Sequence, residues 1–149
     1  MEIAKKIPLH KHVLISSVKT KLEMPARIYL NRYLGIYKLI SGKQWQFLAW
    51  QLFNLLGAKK GGQIHAQIRQ MVHEVPEYFV QWGVHQVLNW QNTNAGNDVY
   101  HIHGDRDELF PLSLIKNAIT IKGGTHIMVF TKPREVNIEL MKIFDAEKN

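Results

Sequence analysis

Cysteine is absent from the 149 residues, which excludes a disulfide framework, a cysteine-ligated zinc site and a thiol nucleophile. That composition suits a reducing compartment. Long apolar runs are missing too: no window approaches the roughly 18 residues of a membrane-spanning helix. The opening stretch "MEIAKKIPLHKH" also lacks the apolar run of about 7 to 15 residues that a signal peptide carries. Taken at face value, the chain is soluble and cytoplasmic. A third absence is clustered charge. The net charge is +7, a balance that raises nucleic acid or an anionic membrane as partners. Yet Lys5, Lys6, Lys11, Lys19, Lys21, Arg27 and Arg32 thin out along the first third, and Lys59 and Lys60 form only a pair. With no basic tract and no nucleic-acid-binding motif, a specific nucleic-acid partner is not expected, and the charge reads as a solvated basic surface.

What is present is an apolar content of 46%, enough for one packed domain over residues 1–149. "HVLISSV" (12–18) is a β-branched, nearly continuous apolar run, the pattern of a strand buried on both faces of a parallel sheet. "DVYHIHG" (98–104) and "AITIKGG" (118–124) are two further strands, each ending in glycine. Strands separated by helical stretches predict an α/β fold. Ser113 to Asn117, introduced by Pro111, is expected to supply a short crossover helix. A final helix is expected with Thr131 as its cap, Pro133 in its first turn, and Val136, Leu140, Ile143 and Phe144 on one face. "MEIAKKIP" reads as the last two turns of a helix stopped by Pro8.

Between residues 26 and 91 the periodicity is helical and rich in aromatics, from Tyr29, Tyr33 and Tyr37 through Trp45, Phe47, Trp50 and Phe53 to Tyr78, Phe79, Trp82 and Trp90. "GAKKGG" (57–62) divides this block and "NTNAGND" (92–98) closes it. It reads as a helical insertion within the α/β fold. Its aromatics either form core between helices or also line a ligand pocket.

The chemistry-bearing residues cluster in "VYHIHGDRDELFP" (99–111) and "KGGTH" (122–126). Asp107 and His126 each lie just beyond the C-terminal end of a strand, the edge along which open parallel sheets place their chemistry. Gly123 and Gly124 allow a tight turn ahead of His126. If the two strands are neighbours, a carboxylate meets an imidazole and fixes its tautomer, leaving the other nitrogen as a general base.

"HGDRDELFP", followed by "GGTHIMVF" and a final helix, resembles the C-terminal half of the α/β-hydrolases. The resemblance implies a partial hydrolase fold of about three parallel strands, with residues 26–91 as a helical lid and a C-terminal helix. It makes Asp107 the acid and His126 the base of a Ser-His-Asp triad. Asp105 then takes a spacer position as a surface or loop residue. His101 and His103 share one face of their strand and read as structural histidines near the site. The alternating His and Asp also suggest a metallo-β-lactamase-type site, but that pattern needs histidine at position 106, where this chain has Arg106, and further ligands downstream. No metal and no cofactor is therefore expected.

The family's nucleophile, a serine in a Gly-x-Ser-x-Gly elbow, is not found: Ser16, Ser17, Ser41 and Ser113 all lack that context. The expectation is that Met1 is internal and the chain begins just after the elbow. The resemblance thus implies a hydrolase of an ester or related acyl substrate with an apolar part, inactive as this chain alone. The alternative is a non-catalytic binding or interaction module that keeps the fold. Loss of the neighbouring strand leaves residues 12–18 as an exposed edge, through which self-association is expected.

Overall fold

The computed structural model describes residues 2, 6, 11–55, 62–96 and 99–145. The helix end expected in "MEIAKKIP" and the loop "GAKKGG" lie almost wholly outside them. The chain divides into two units, one formed by Met1–Pro25 with Gln91–Asn149 and the other by Ala26–Trp90.

The first unit is built on a parallel three-stranded sheet in the order β1 (His12–Ile15), β2 (Val99–Gly104), β3 (Ile119–Ile121). Ile102 joins both ladders, opposite Ile15 on one side and Ile119 on the other. Because successive side chains alternate between faces, Ile102 faces one side of the sheet while His101 and His103 face the other. On the Ile102 side, Ile102, Ile121, Met128, Val136 and Ile143 form the buried cluster, with Val13, Ile15, Ile119 and Leu140 packed around it. Burial of each such side chain contributes about 2 kcal/mol.

The helix that closes this face, α6 (Pro133–Asp145), starts on a proline whose fixed φ suits a first helical position. It presents Val136, Leu140 and Ile143 as an i, i+4, i+7 stripe. Lys11 Nζ donates to the Ile143 carbonyl near its end, where cations are favoured.

Several sequence expectations are corrected. β1 stops at Ile15 rather than running to Val18, and its residues are half-buried rather than covered on both faces. Ser16 N still donates to Ile102 O at 3.1 Å, but Ser16 then turns into the left-handed region (φ 47°) and takes the chain off the sheet. β3 is shortened likewise, by a turn through Gly123 at φ 69°. Between β2 and β3 there is no crossover α-helix, only a single 3-10 turn, Leu112–Leu114, set up by Pro111. Thr131 does not cap the last helix. Met128, fully buried, draws residues 128–131 into a short helix of their own, α5 (Met128–Thr131), and Lys132 accepts the Val136 N–H at 3.1 Å instead. Phe144 falls off the buried stripe and is 55% exposed, its ring 5.7 Å from Lys11 Nζ.

A buried knot ties the segment after β1 to the segment before β3. Glu23 Oε2 accepts the Lys19 N–H at 2.6 Å, its Oε1 accepts the Lys116 N–H at 3.2 Å, and Lys19 Nζ reaches both Glu23 and the Lys116 carbonyl. Asn92 adds a bond from its Nδ2 to the Lys19 carbonyl at 2.8 Å.

The second unit holds α1 (Ala26–Leu34), α2 (Gly42–Leu55), α3 (Gln63–Glu74) and α4 (Glu77–Asn89). Helix α2 starts on a capping box: Ser41 Oγ accepts the Gln44 N–H at 3.3 Å, and Gln44 Oε1 accepts the Ser41 N–H at 2.8 Å. Helix α2 packs on both α3 and α4, and α1 packs on α4. Gly42 makes the α2–α4 approach possible, since a Cβ there would lie 2.5 Å from Glu77 Cβ. Tyr37, Phe53, Ile68 and Leu88 are the buried apolar residues of this unit among those described.

Candidate functional site

The site forms where β2 and β3 release the chain. Both strands end against a pair of glycines in contact. A Cβ on Gly104 would lie 2.1 Å from the Gly124 carbonyl oxygen, and one on Gly124 would lie 3.0 Å from Gly104 Cα. Only glycine lets the two turns approach so closely. Backbone bonds stitch them together: Arg106 N–H to Gly124 O at 2.9 Å and Asp105 N–H to Ile121 O at 3.3 Å. Asp105 is exposed in the turn, as expected of a loop residue. Its Oδ1 nevertheless accepts the Gly123 N–H at 2.6 Å, so it ties the two loops together, a role its spacer position does not suggest.

Asp107 follows in this turn, 3% exposed. Its Oδ1 accepts the N–H groups of Leu109 and Phe110, each at 2.9 Å, an aspartate-centred turn of the kind that holds a carboxylate still. Its Oδ2 faces His126 Nδ1 at 3.0 Å. An ionised carboxylate only accepts, so Nδ1 carries a proton, and in the neutral ring Nε2 is the nitrogen with the lone pair. The His126 side chain is partly open to solvent, and its ring meets that of Phe110 edge to face with centroids 5.4 Å apart. Burial by itself would raise the Asp107 carboxyl; hydrogen bonds from His126 and Phe110, with the nearby His126 and His103, hold it below the ordinary carboxylate value. The two residues singled out in the sequence are thus brought together as an ionised acid and an oriented imidazole.

His101 and His103 lie behind Asp107, the first 1% and the second 0% exposed. They share a face of β2 as the sequence implies, but they are also wired. His103 Nε2 donates to the Phe110 carbonyl at 2.8 Å and lies 3.5 Å from Asp107 Oδ2. His103 Nδ1 lies 3.3 Å from His101 Nε2, within hydrogen-bond range, the rings meeting edge to face. Burial, reinforced by His103 and then Lys19, pushes His101 down to about 4, so it stays neutral at ordinary pH.

Among the described residues, no three His, Cys, Asp or Glu side chains are arranged to hold a metal. No helix among them is long and apolar enough to cross a membrane. No serine among them is hydrogen-bonded to His126: the Ser16 hydroxyl is buried without a partner and Ser41 is occupied in its cap. The glycine contact, the Asp105–Gly123 tie and the His101–His103–Phe110 chain were missed in the sequence. Their only signals were the glycine ending each strand and the His-x-His alternation. Neither a protein-family model nor a curated protein matches the chain.

Proposed function

We propose that this chain is the C-terminal portion of an α/β-hydrolase, with Asp107 and His126 as the acid and base of a Ser-His-Asp triad. The observation that carries the reading is the Asp107 Oδ2 to His126 Nδ1 contact of 3.0 Å, beyond the C-terminal ends of neighbouring parallel strands. The order of strand, helical block, strand, Asp, strand, His and helix supports it. In this reading Asp107 holds the imidazole by Nδ1 and stabilises the imidazolium. His126 Nε2 takes the proton of a serine hydroxyl as that oxygen attacks the acyl carbon, then returns it to the leaving group. The serine and the oxyanion-binding groups come from outside this chain, and the substrate is an ester or related acyl compound with an apolar part.

The test begins with the DNA upstream of codon 1. An open frame encoding Gly-x-Ser-x-Gly, whose extended product hydrolyses a p-nitrophenyl ester and loses the activity on His126→Ala, is the expected result. An in-frame stop upstream with a ribosome-binding site just ahead of codon 1, and a purified chain that does not hydrolyse the ester, overturns it in favour of a non-catalytic module. The 149-residue chain alone is expected to hydrolyse no faster than background, since removal of both nucleophile and oxyanion hole forfeits nearly all of the acceleration. Activity of that chain which His126→Ala abolishes would mean that one of its own hydroxyls serves as nucleophile.

A further inference from the structure

We propose that His103 is a positioning residue for the Asp107–His126 pair, holding the Phe110 peptide with Nε2–H while His101 fixes its tautomer. The inference rests on reading Asp107 and His126 as the acid and base. A wholly buried imidazole is usually an element of packing, and packing alone is better served by an apolar side chain, because each buried polar atom must regain the bonds it loses with water. Here those bonds lead to the site. The Phe110 peptide is the junction: its carbonyl accepts from His103 Nε2 at 2.8 Å, while its N–H donates to Asp107 Oδ1 at 2.9 Å. Tilting that peptide moves the carboxylate. His103 Nε2 also lies 3.5 Å from Asp107 Oδ2, the oxygen that faces His126, so it borders Asp107 on two sides. The Phe110 and His126 rings also meet edge to face, with centroids 5.4 Å apart.

The Phe110 carbonyl can only accept, so His103 carries a proton on Nε2. In the neutral ring its Nδ1 then accepts from His101 Nε2, 3.3 Å away, and His101 is the donor that holds His103 in that form. The other nitrogen of His101, Nδ1, is buried without a hydrogen bond of its own. Lys19 and Glu23, whose charges act on His101, are engaged with each other and with the Lys116 backbone. His101 and His103 on β2, with Asp107 and Phe110 in the turn after it, therefore set the orientation of an imidazole carried by another loop.

The experiment uses the full 149-residue chain, labelled with 15N, and long-range 1H–15N spectra that report which ring nitrogen of each histidine bears the proton. In the wild type, His103 is expected as the Nε2–H form and His126 as the Nδ1–H form. His103→Gln carries an amide that reaches the Phe110 carbonyl, whereas His103→Asn is one methylene too short. The Gln variant should retain the His126 Nδ1–H population and the Asn variant should lose it toward the level of Asp107→Ala. Identical His126 spectra in folded Gln and Asn variants overturn the inference, as does a wild-type His103 protonated on Nδ1. If neither variant folds, that wild-type tautomer decides. A His126 signal that Asp107→Ala leaves unmoved overturns the acid–base reading itself, a separate outcome.

Discussion

Every buried polar or charged side chain among the described residues, from Ser16, Lys19 and Glu23 to Asn92, His101, His103 and Asp107, belongs to the sheet-bearing unit. The helical unit, residues 26–90, has none, and it exposes Tyr33, Phe47, Tyr78, Phe79 and Trp82. The two units meet the same physical constraint from opposite ends. A buried polar group costs stability unless its bonds are remade inside the protein, so it fixes its surroundings to a single geometry. An exposed aromatic on a helix costs little and fixes nothing. Rigidity is therefore expected where the imidazoles lie, and tolerance to substitution where the aromatics lie.

The largest effect that would break this contrast is at the glycine contact. Gly104→Ala places a methyl 2.1 Å from the Gly124 carbonyl oxygen, and because the obstacle is backbone, the two turns must part. A loss of about 3 kcal/mol or more is expected in urea unfolding, together with loss of the Asp107–His126 contact. A Gly104→Ala chain as stable as the parent would mean that the two strand ends do not meet as described.

Next in size is the acid response of the sheet-bearing unit. His101 falls from an ordinary 6.5 to about 4 on folding, so between those values the unfolded chain binds the extra proton. Stability is then fully present above pH 6.5 and declines as pH falls to about 4, by about 3 kcal/mol in all. Asp107, held below the ordinary carboxylate value, adds a second loss at lower pH. Its contribution is present above the unfolded pKa and disappears as pH drops through the folded one. Urea unfolding across this range measures the first limb, and His101→Gln should flatten it. An unchanged slope in that variant would assign the acid sensitivity elsewhere.

The sequence was most informative where a single residue type had a single physical purpose. Asp107 and His126 stood out because each lies just beyond the C-terminal end of an apolar strand, and the glycine three residues before Asp107 carried the resemblance to the α/β-hydrolases that implied their roles. Lengths were not legible in the same way. Ser16 leaves the sheet in a left-handed conformation that serine seldom adopts, so the apolar run through Val18 outlasts its strand. Met128 is pulled into the core and splits the final helical segment, which makes Thr131 an end rather than a beginning. The aromatics from Tyr29 to Trp90 located the helices correctly, yet their spacing marks a face without saying what covers it. The role of His103 was hidden because its partner is a backbone carbonyl, which no residue type announces.

A smaller effect, of opposite sign to Gly104→Ala, sharpens the comparison in the helical unit. Gly83 lies inside α4 with nothing within 4 Å of a would-be Cβ. Its replacement by alanine should stabilise the chain by about 0.5 to 1 kcal/mol, because alanine gives up less backbone entropy on entering a helix. A destabilised Gly83→Ala would mean that something packs on that face of the helix.

The smallest effects are expected at the exposed aromatics. Tyr33 is 89% exposed, on a helix that buries none of its residues, and Tyr78 is 73% exposed at the start of α4. Neither ring gains much by folding, so Tyr33→Ser and Tyr78→Ser should each change the unfolding free energy by no more than about 0.5 kcal/mol. Phe53 provides the internal standard. It is buried on α2 with Trp50 stacked 5.6 Å away and His65 at 5.8 Å, so Phe53→Ala should cost about 3 kcal/mol or more. Serine variants at 33 and 78 that approach the Phe53 value would show that those rings are covered in solution. The helical unit would then be a packed core like its neighbour, and the contrast between the two would fail.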